Sequence, residues 1–223
     1  MMMRYLLLQF PIRVARLIKH FAYPISKRYC NAFPPKDGLQ WLGDLTFYIM
    51  DVIAIPEMYQ FLLRCIKWNT RKLNEEELAI GKSVFGETLR YDLIRIDDKA
   101  RFGTKKIALA YVSFNTINYI RKIKSEIFVH ELVHVWQFQY FGSIYIARAI
   151  EAQRSKEGYD YGGTPHLYKV MLNQGKLTDF NFEQQADIIE DYYKAMKNKD
   201  KSGPLTLNIY TYFAEQLHRE GSS

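Results

Sequence analysis

The stretch SEIFVHELVHVWQFQYF, residues 125 to 141, constrains this chain more than any other. It reads as a helix whose circumference is apolar nearly all round: Val129, Leu132, Val133, Val135, Trp136 and Phe138 leave no side for water. A helix of that kind belongs in an interior, so the rest of the chain must be arranged to enclose it. Yet it also carries His130, Glu131 and His134. A carboxylate in an interior is costly unless it is paired, hydrogen-bonded or bound to a metal. On a wheel of ~100° per residue His134 falls close beside His130. Glu131 lies on the same flank and Gln137 just on the other side.

Two imidazoles one turn apart with a glutamate between them form the H-E-x-x-H pattern, in which the histidines hold zinc and the glutamate serves as general base. The spacing matters because both ring nitrogens must converge on one ion at ~2.0–2.1 Å. Two core histidines with a salt-bridged glutamate would give the same five letters, but the apolar setting favours the metal. A catalytic zinc also needs a third protein ligand and an open position.

The segment DFNFEQQADIIEDYY, residues 179 to 193, offers that ligand. Asn181 can cap a helix there with Gln184 completing a capping box, and Phe182, Ala186, Ile189 and Tyr193 make an apolar face. Glu183 and Asp187 sit one turn apart on its flank. Glu183 fits a third ligand, and Asp187 fits an acceptor that orients a ligand histidine through its far nitrogen. Asp187 itself and His166 are rival ligands. Both acids also fit an ordinary solvated helix that carries Glu190 and Asp191 as well.

Around these motifs the chain is helical, then strand-bearing, then helical again, which predicts the α+β class. Residues 31 to 38 read as a turn-rich connector, and residues 39 to 68 as two helices interrupted at Pro56. Asn74 caps a short helix with Glu77 as its capping-box partner, and Gly86 ends it. Residues 88 to 97 and 106 to 120 read as strands of a small sheet, with Asn115 available for a turn. Helices follow at about 125–141, 143–155, 181–197 and 205–219. The glycine-bearing loop 157–168 between two of them supplies Tyr159, Tyr161 and His166 as candidates to stabilise an oxyanion. We expect residues 1–70 to form a helical segment packed on a core built by residues 71–223.

Composition narrows the class without choosing a function. With 223 residues and 48% apolar content the chain can build a sizeable core. Its net charge of +7 suits anionic surroundings, but no Lys/Arg run is long enough for a nucleic-acid tail. Cys30 and Cys65 fit either one bridge or two buried thiols. The apolar run Tyr5 to Phe10 is too short for a signal-peptide core or a membrane span. Leu6, Val14, Leu17, Ile18 and Phe21 can line one face of a basic helix, for which we expect packing on the domain ahead of contact with a membrane surface. Without a Sec signal, a cytoplasmic location is expected until any delivery by a secretion system.

His130-Glu131-x-x-His134 followed by Glu183-x-x-x-Asp187 resembles the gluzincin metallopeptidases. That resemblance implies Glu183 as third zinc ligand and Asp187 as the support of a ligand histidine. The asparagine that the family places before the ligand glutamate is replaced by Phe182. Residues 75 to 195 resemble more closely the zincin-like domain of Vgr-related and contractile-injection-system proteins, with Gln137 matching the glutamine of their H-E-x-x-H-x-x-Q helix. A bacterial, type VI secretion-associated setting is what this implies, together with a mixed sheet whose edge strand runs above the metal helix. Residues 108 to 119 are the best candidate for that strand and could bind an extended peptide, although they fit an ordinary half-buried hairpin equally.

The expected activity is therefore zinc-dependent hydrolysis of peptide or amide bonds, with Glu131 as base and His130, His134 and Glu183 as ligands. A protein or the stem peptide of peptidoglycan is the expected substrate. The alternative is a non-catalytic zinc-binding component of a secretion or injection system.

Overall fold

The computed structural model, which describes residues 2–29, 31, 33–67, 69–100, 110–198 and 203–219, is mixed α and β, with one small sheet among many helices. The chain divides into two units. One comprises residues 1–68 and 141–147, and the other residues 69–140 and 148–223.

The first unit holds α1 (Met2–Ala22), α2 (Gly38–Val52) and α3 (Ile55–Ile66). Asp37 caps α2 by accepting from the Gln40 amide. The expected break between α2 and α3 is made by Ala54, at a left-handed φ of 59°, and Pro56 follows in the first turn of α3, where its missing N–H costs nothing. Inward stripes of these helices are polar. Tyr5, Arg13 and His20 are buried on α1, Asp44, Tyr48 and Asp51 on α2, and Glu57 and Gln60 on α3. Arg13 donates to both carboxylate oxygens of Glu57, and Asp51 accepts from the backbone and hydroxyl of Ser143. Gly142 makes the latter possible, since a Cβ there would lie 2.1 Å from Asp51 Oδ2. The expected packed face of α1 is thereby corrected. Leu6, Val14 and Leu17 are half-buried while Ile18 and Phe21 are exposed, because the bundle pairs its charged groups inside. Cys65 is exposed rather than buried, and Cys30 lies outside the described residues.

The second unit opens with α4 (Glu75–Phe85), capped as expected by the reciprocal Asn74–Glu77 box and ended at Gly86, φ 53°. The strand expected over 88–97 is confined to β1 (Arg95–Asp97). Residues 88–94 turn instead, with Leu93 and Ile94 amides bonded back to Arg90 and Tyr91. The adjacent pair Leu93–Ile94 breaks the alternation, and the turn buries both, which a single strand face could not do. β2 (Ala110–Ser113) and β3 (Thr116–Tyr119) form a hairpin across Phe114 and Asn115, so the turn falls where expected. Residues 106–109 of the expected strand lie outside the described residues. Strand order is β1-β3-β2, with β3 parallel to β1 and antiparallel to β2. Of the expected edge strand, only β2 lies at an edge of the sheet; β3 is central.

Then come α5 (Ser125–Phe141), α6 (Ile144–Arg154), α7 (Gly163–Leu172), α8 (Phe182–Lys197) and α9 (Pro204–Ala214), with a last turn at Gln216–Arg219. The predicted enclosure of α5 is complete at its centre, where Leu132, Val133 and Val135 have no exposure. Helix α7 replaces much of the expected 157–168 loop. Pro165 lies in its first turn, a position that favours helix initiation, and Leu167 anchors it with no exposure. The helix expected over 205–219 is interrupted at Glu215. Among the described residues no helix is long and apolar enough to cross a membrane.

Candidate metal centre

Helix α5 presents His130 and His134 one turn apart, their ring centroids 5.0 Å from each other. Helix α8 faces them with Glu183, which is 1% exposed. Asn181 starts that helix by accepting from the amides of Glu183 and Gln184, so a local cap fixes where the carboxylate emerges. The apolar face expected of α8, formed by Phe182, Ala186, Ile189 and Tyr193, is buried throughout.

Three ligand atoms converge. Glu183 Oε2 lies 3.4 Å from His130 Nε2 and 3.6 Å from His134 Nε2. Although these are close charge contacts, the oxygen makes no hydrogen bond. Ligands each ~2.0–2.1 Å from a tetrahedral ion stand roughly 3.4 Å apart, so the spacing suits a shared cation better than direct bonding. Buried His130, His134 and Glu183 can therefore hold a metal ion.

The opposite edges of both rings are already engaged. His134 Nδ1 is 2.8 Å from Gln137 Oε1. Gln137 donates its amide nitrogen to the Phe182 carbonyl at 2.9 Å and to Gln185 at 3.1 Å, which fixes the oxygen toward the ring. His134 must then donate from Nδ1, leaving Nε2 as a lone-pair donor toward the centre. His130 Nδ1 faces two acceptors, Asp187 at 3.0 Å and Glu190 at 3.2 Å, with the same consequence for its Nε2. His130, Asp187 and Glu190 are also close enough to one another to hold an ion. That set is more exposed, and Lys194 already neutralises Glu190 at 2.8 Å. Gln153 of α6 completes the surround by donating to Glu183 Oε1 at 2.9 Å.

Electrostatics follow from burial and these neighbours. Burial works to raise the Glu183 carboxyl, but the two imidazoles outweigh it and hold it well below the usual range. Burial likewise opposes protonation of His130, and the carboxylates of Asp187, Glu183 and Glu190 together push it well up. Glu131 is raised, chiefly because it is buried, and its Oε2 has no hydrogen-bond partner.

The remaining candidates separate. Tyr159 lies beside the centre, its ring 6.2 Å from that of His130, and burial and the Glu183 charge push its phenol to about 12. Tyr161 bonds to Asp191 and Tyr210 instead. His166 sits edge-on to Phe180 and joins neither metal-capable group among the described residues. Glu190, Gln153 and Gln185 were not singled out from the sequence. Glu190 continues the Glu183–Asp187 stripe by three residues, a signal that was present, whereas nothing local connects Gln153 to a residue thirty positions away.

No family model and no solved structure matches the chain. Over 141 residues it is 28% identical to the type VI secretion system spike protein VgrG2b of Pseudomonas aeruginosa. The similarity takes in 55% of this chain and 13% of that relative's length.

Proposed function

We propose that the second unit is a zinc-dependent hydrolase of peptide or amide bonds. The observation that carries the reading is the convergence of two imidazole nitrogens and one carboxylate oxygen beside Glu131, a buried acid with an oxygen that nothing satisfies. His130, His134 and Glu183 fit zinc by donor type, number and spacing, and one anionic ligand would leave the centre net positive. Zinc bound there would supply Lewis acidity toward a substrate carbonyl and a water of lowered pKa.

The chain's own residues then do the proton work. Glu131 accepts the proton of the attacking water and delivers it to the leaving amine. Burial has raised its carboxyl, which makes it a stronger base than an exposed glutamate. Asp187, Glu190 and Gln137 hold the two rings with their Nε2 atoms inward, and Gln153 holds Glu183. Tyr159 is the side chain at hand to donate to a developing oxyanion. Substrates of the expected class are a protein or the stem peptide of peptidoglycan, which β2 could receive along its open edge. Similarity to a type VI spike protein supports a secretion-associated role for the chain.

The same similarity, to a protein named as a spike component, favours one second reading, a metal-binding part without catalysis. Glu131→Gln separates the two. A catalytic site should keep its zinc and its melting temperature and lose cleavage of casein or purified peptidoglycan by several orders of magnitude. If the variant cleaves as wild type does, the hydrolytic mechanism is excluded.

A further inference from the structure

The three helices of the first unit turn polar groups inward, beside the buried aromatic and apolar residues Tyr5, Tyr48, Phe141, Ile144 and Tyr145, and carry apolar groups outward. Its inward stripes, already described, carry Arg13, His20, Asp44, Asp51, Glu57 and Gln60. Its outward positions carry Leu7, Leu8, Phe10 and Ile18 on α1 (70, 58, 53 and 61% exposed), Leu39 and Leu42 on α2, and Met58, Phe61, Leu62 and Ile66 on α3. Single exposed apolar residues are ordinary, but stripes along three successive helices are not. We propose that this outer face seats in one leaflet of an anionic lipid bilayer.

Two observations favour lipid over a protein partner. Ionisable groups in a lipid environment turn inward and pair with one another, which is what Arg13 and Glu57 do at 6% exposure each. Charge completes the argument. Residues 1–68 contain nine Lys/Arg and four Asp/Glu, and three of those four acids are buried. Lys19, Lys27, Arg28 and Lys36 are exposed at and beyond the end of α1, opposed on the surface by Asp37 alone. That end is suited to anionic headgroups, with exposed Ile25 and Tyr29 between the cations to enter the boundary.

The seating is interfacial rather than spanning. Helices α2 and α3, with 15 and 12 residues, are roughly 22 and 18 Å long, short of a hydrocarbon core of ~30 Å. Helix α1 fails as a span through its charges.

The test is flotation of the full chain with vesicles of phosphatidylcholine alone or mixed with phosphatidylglycerol. Wild type should float with the anionic vesicles and only weakly with the neutral ones. Leu8→Glu and Phe61→Glu alter exposed positions and should fold normally, yet lower binding about tenfold or more. Lys27→Glu with Arg28→Glu should remove the preference for phosphatidylglycerol. Glu131→Gln should float as wild type does, so the result stands apart from the fate of the hydrolase reading. Wild type that stays unbound overturns the proposal, as does Phe61→Glu binding undiminished. An oligomer in lipid-free buffer that Phe61→Glu disperses, from a chain that does not float, assigns the face to a second copy and equally overturns it.

Discussion

Both units of this protein bury charged groups, and they do so to opposite ends. In the first unit Arg13 and Glu57 satisfy each other with two hydrogen bonds, and Asp51 is satisfied by Ser143. In the second, His130 and His134 are satisfied on one ring edge and open on the other, and Glu131 and Glu183 each keep an oxygen without a partner. A polar core that closes on itself serves structure. One that leaves three ligand atoms converging, with a buried carboxylate near enough to feel their charge, is prepared for something else to complete it. Gln60 Nε2 in the first unit is also buried without a partner, so neither burial nor a single unmet bond separates the two cases; the convergence of several such groups does.

The sharpest way to break this comparison is to remove one group from each side. Glu183→Ala should reduce zinc affinity by well more than the ~10–100-fold typical of losing an outer partner, since a ligand is gone. Competition against a chelator of known affinity measures it. Full affinity in Glu183→Ala together with loss in Asp187→Ala would reverse the roles of the pair. Glu57→Ala should leave zinc untouched and instead lower stability by about 3–5 kcal/mol, because Arg13 is left buried without its counter-ion. Urea denaturation reads that cost. If Glu57→Ala unfolds no more easily than wild type, the pair is not the structural element we describe.

A smaller effect sharpens the distinction within the second unit. Asp187→Ala should weaken zinc by ~10–100-fold, as losses behind a ligand histidine do. Glu190 remains 3.2 Å from the same ring nitrogen and should limit the damage, so Glu190→Ala alone should cost less and the double variant more than either. Equal affinities in all three variants would mean that neither acid orients His130.

What was legible in the sequence depended on whether the informative residues lie close together in it. His130, Glu131 and His134 declare themselves within five positions, and Glu183 and Asp187 within five more, because one helical turn brings each group together. The caps at Asn74 and Asn181 were readable for the same reason. Gln153 reaches Glu183 only through the tertiary arrangement of α6 and α8, and no local pattern announces it. The outward faces of the first unit were misread for a different reason. Pattern reading assumes that apolar stripes turn inward, so Ile18 and Phe21 were placed against a core; the structure turns Tyr5, Arg13 and His20 inward instead. That assumption holds for a helix whose surroundings are water, and the sequence does not state the surroundings.

The smallest expected effect is the most informative about the first unit. Replacing Arg13 and Glu57 together, Arg13→Met with Glu57→Leu, removes two buried charges and leaves chains of similar volume. Buried ion pairs recover their desolvation cost only when geometry is excellent, and exchange for packed apolar groups is often neutral or stabilising. Arg13 also donates to the Asp51 carbonyl at 2.7 Å, a bond the double variant gives up, so we expect stability to stay within about 1 kcal/mol of wild type. The coupling energy from the cycle of Arg13→Met, Glu57→Leu and the double variant should then be several-fold larger than the net change. The corresponding exchange at the candidate metal centre should have a different outcome. His130→Leu with Glu183→Leu would also remove buried polar groups at similar volume and relieve unmet bonds, and it should raise the stability of the metal-free protein while abolishing zinc binding. A double variant in the first unit that unfolds as easily as Glu57→Ala alone would show that the pair carries more than mutual neutralisation, and the contrast between the two polar interiors would lose its basis.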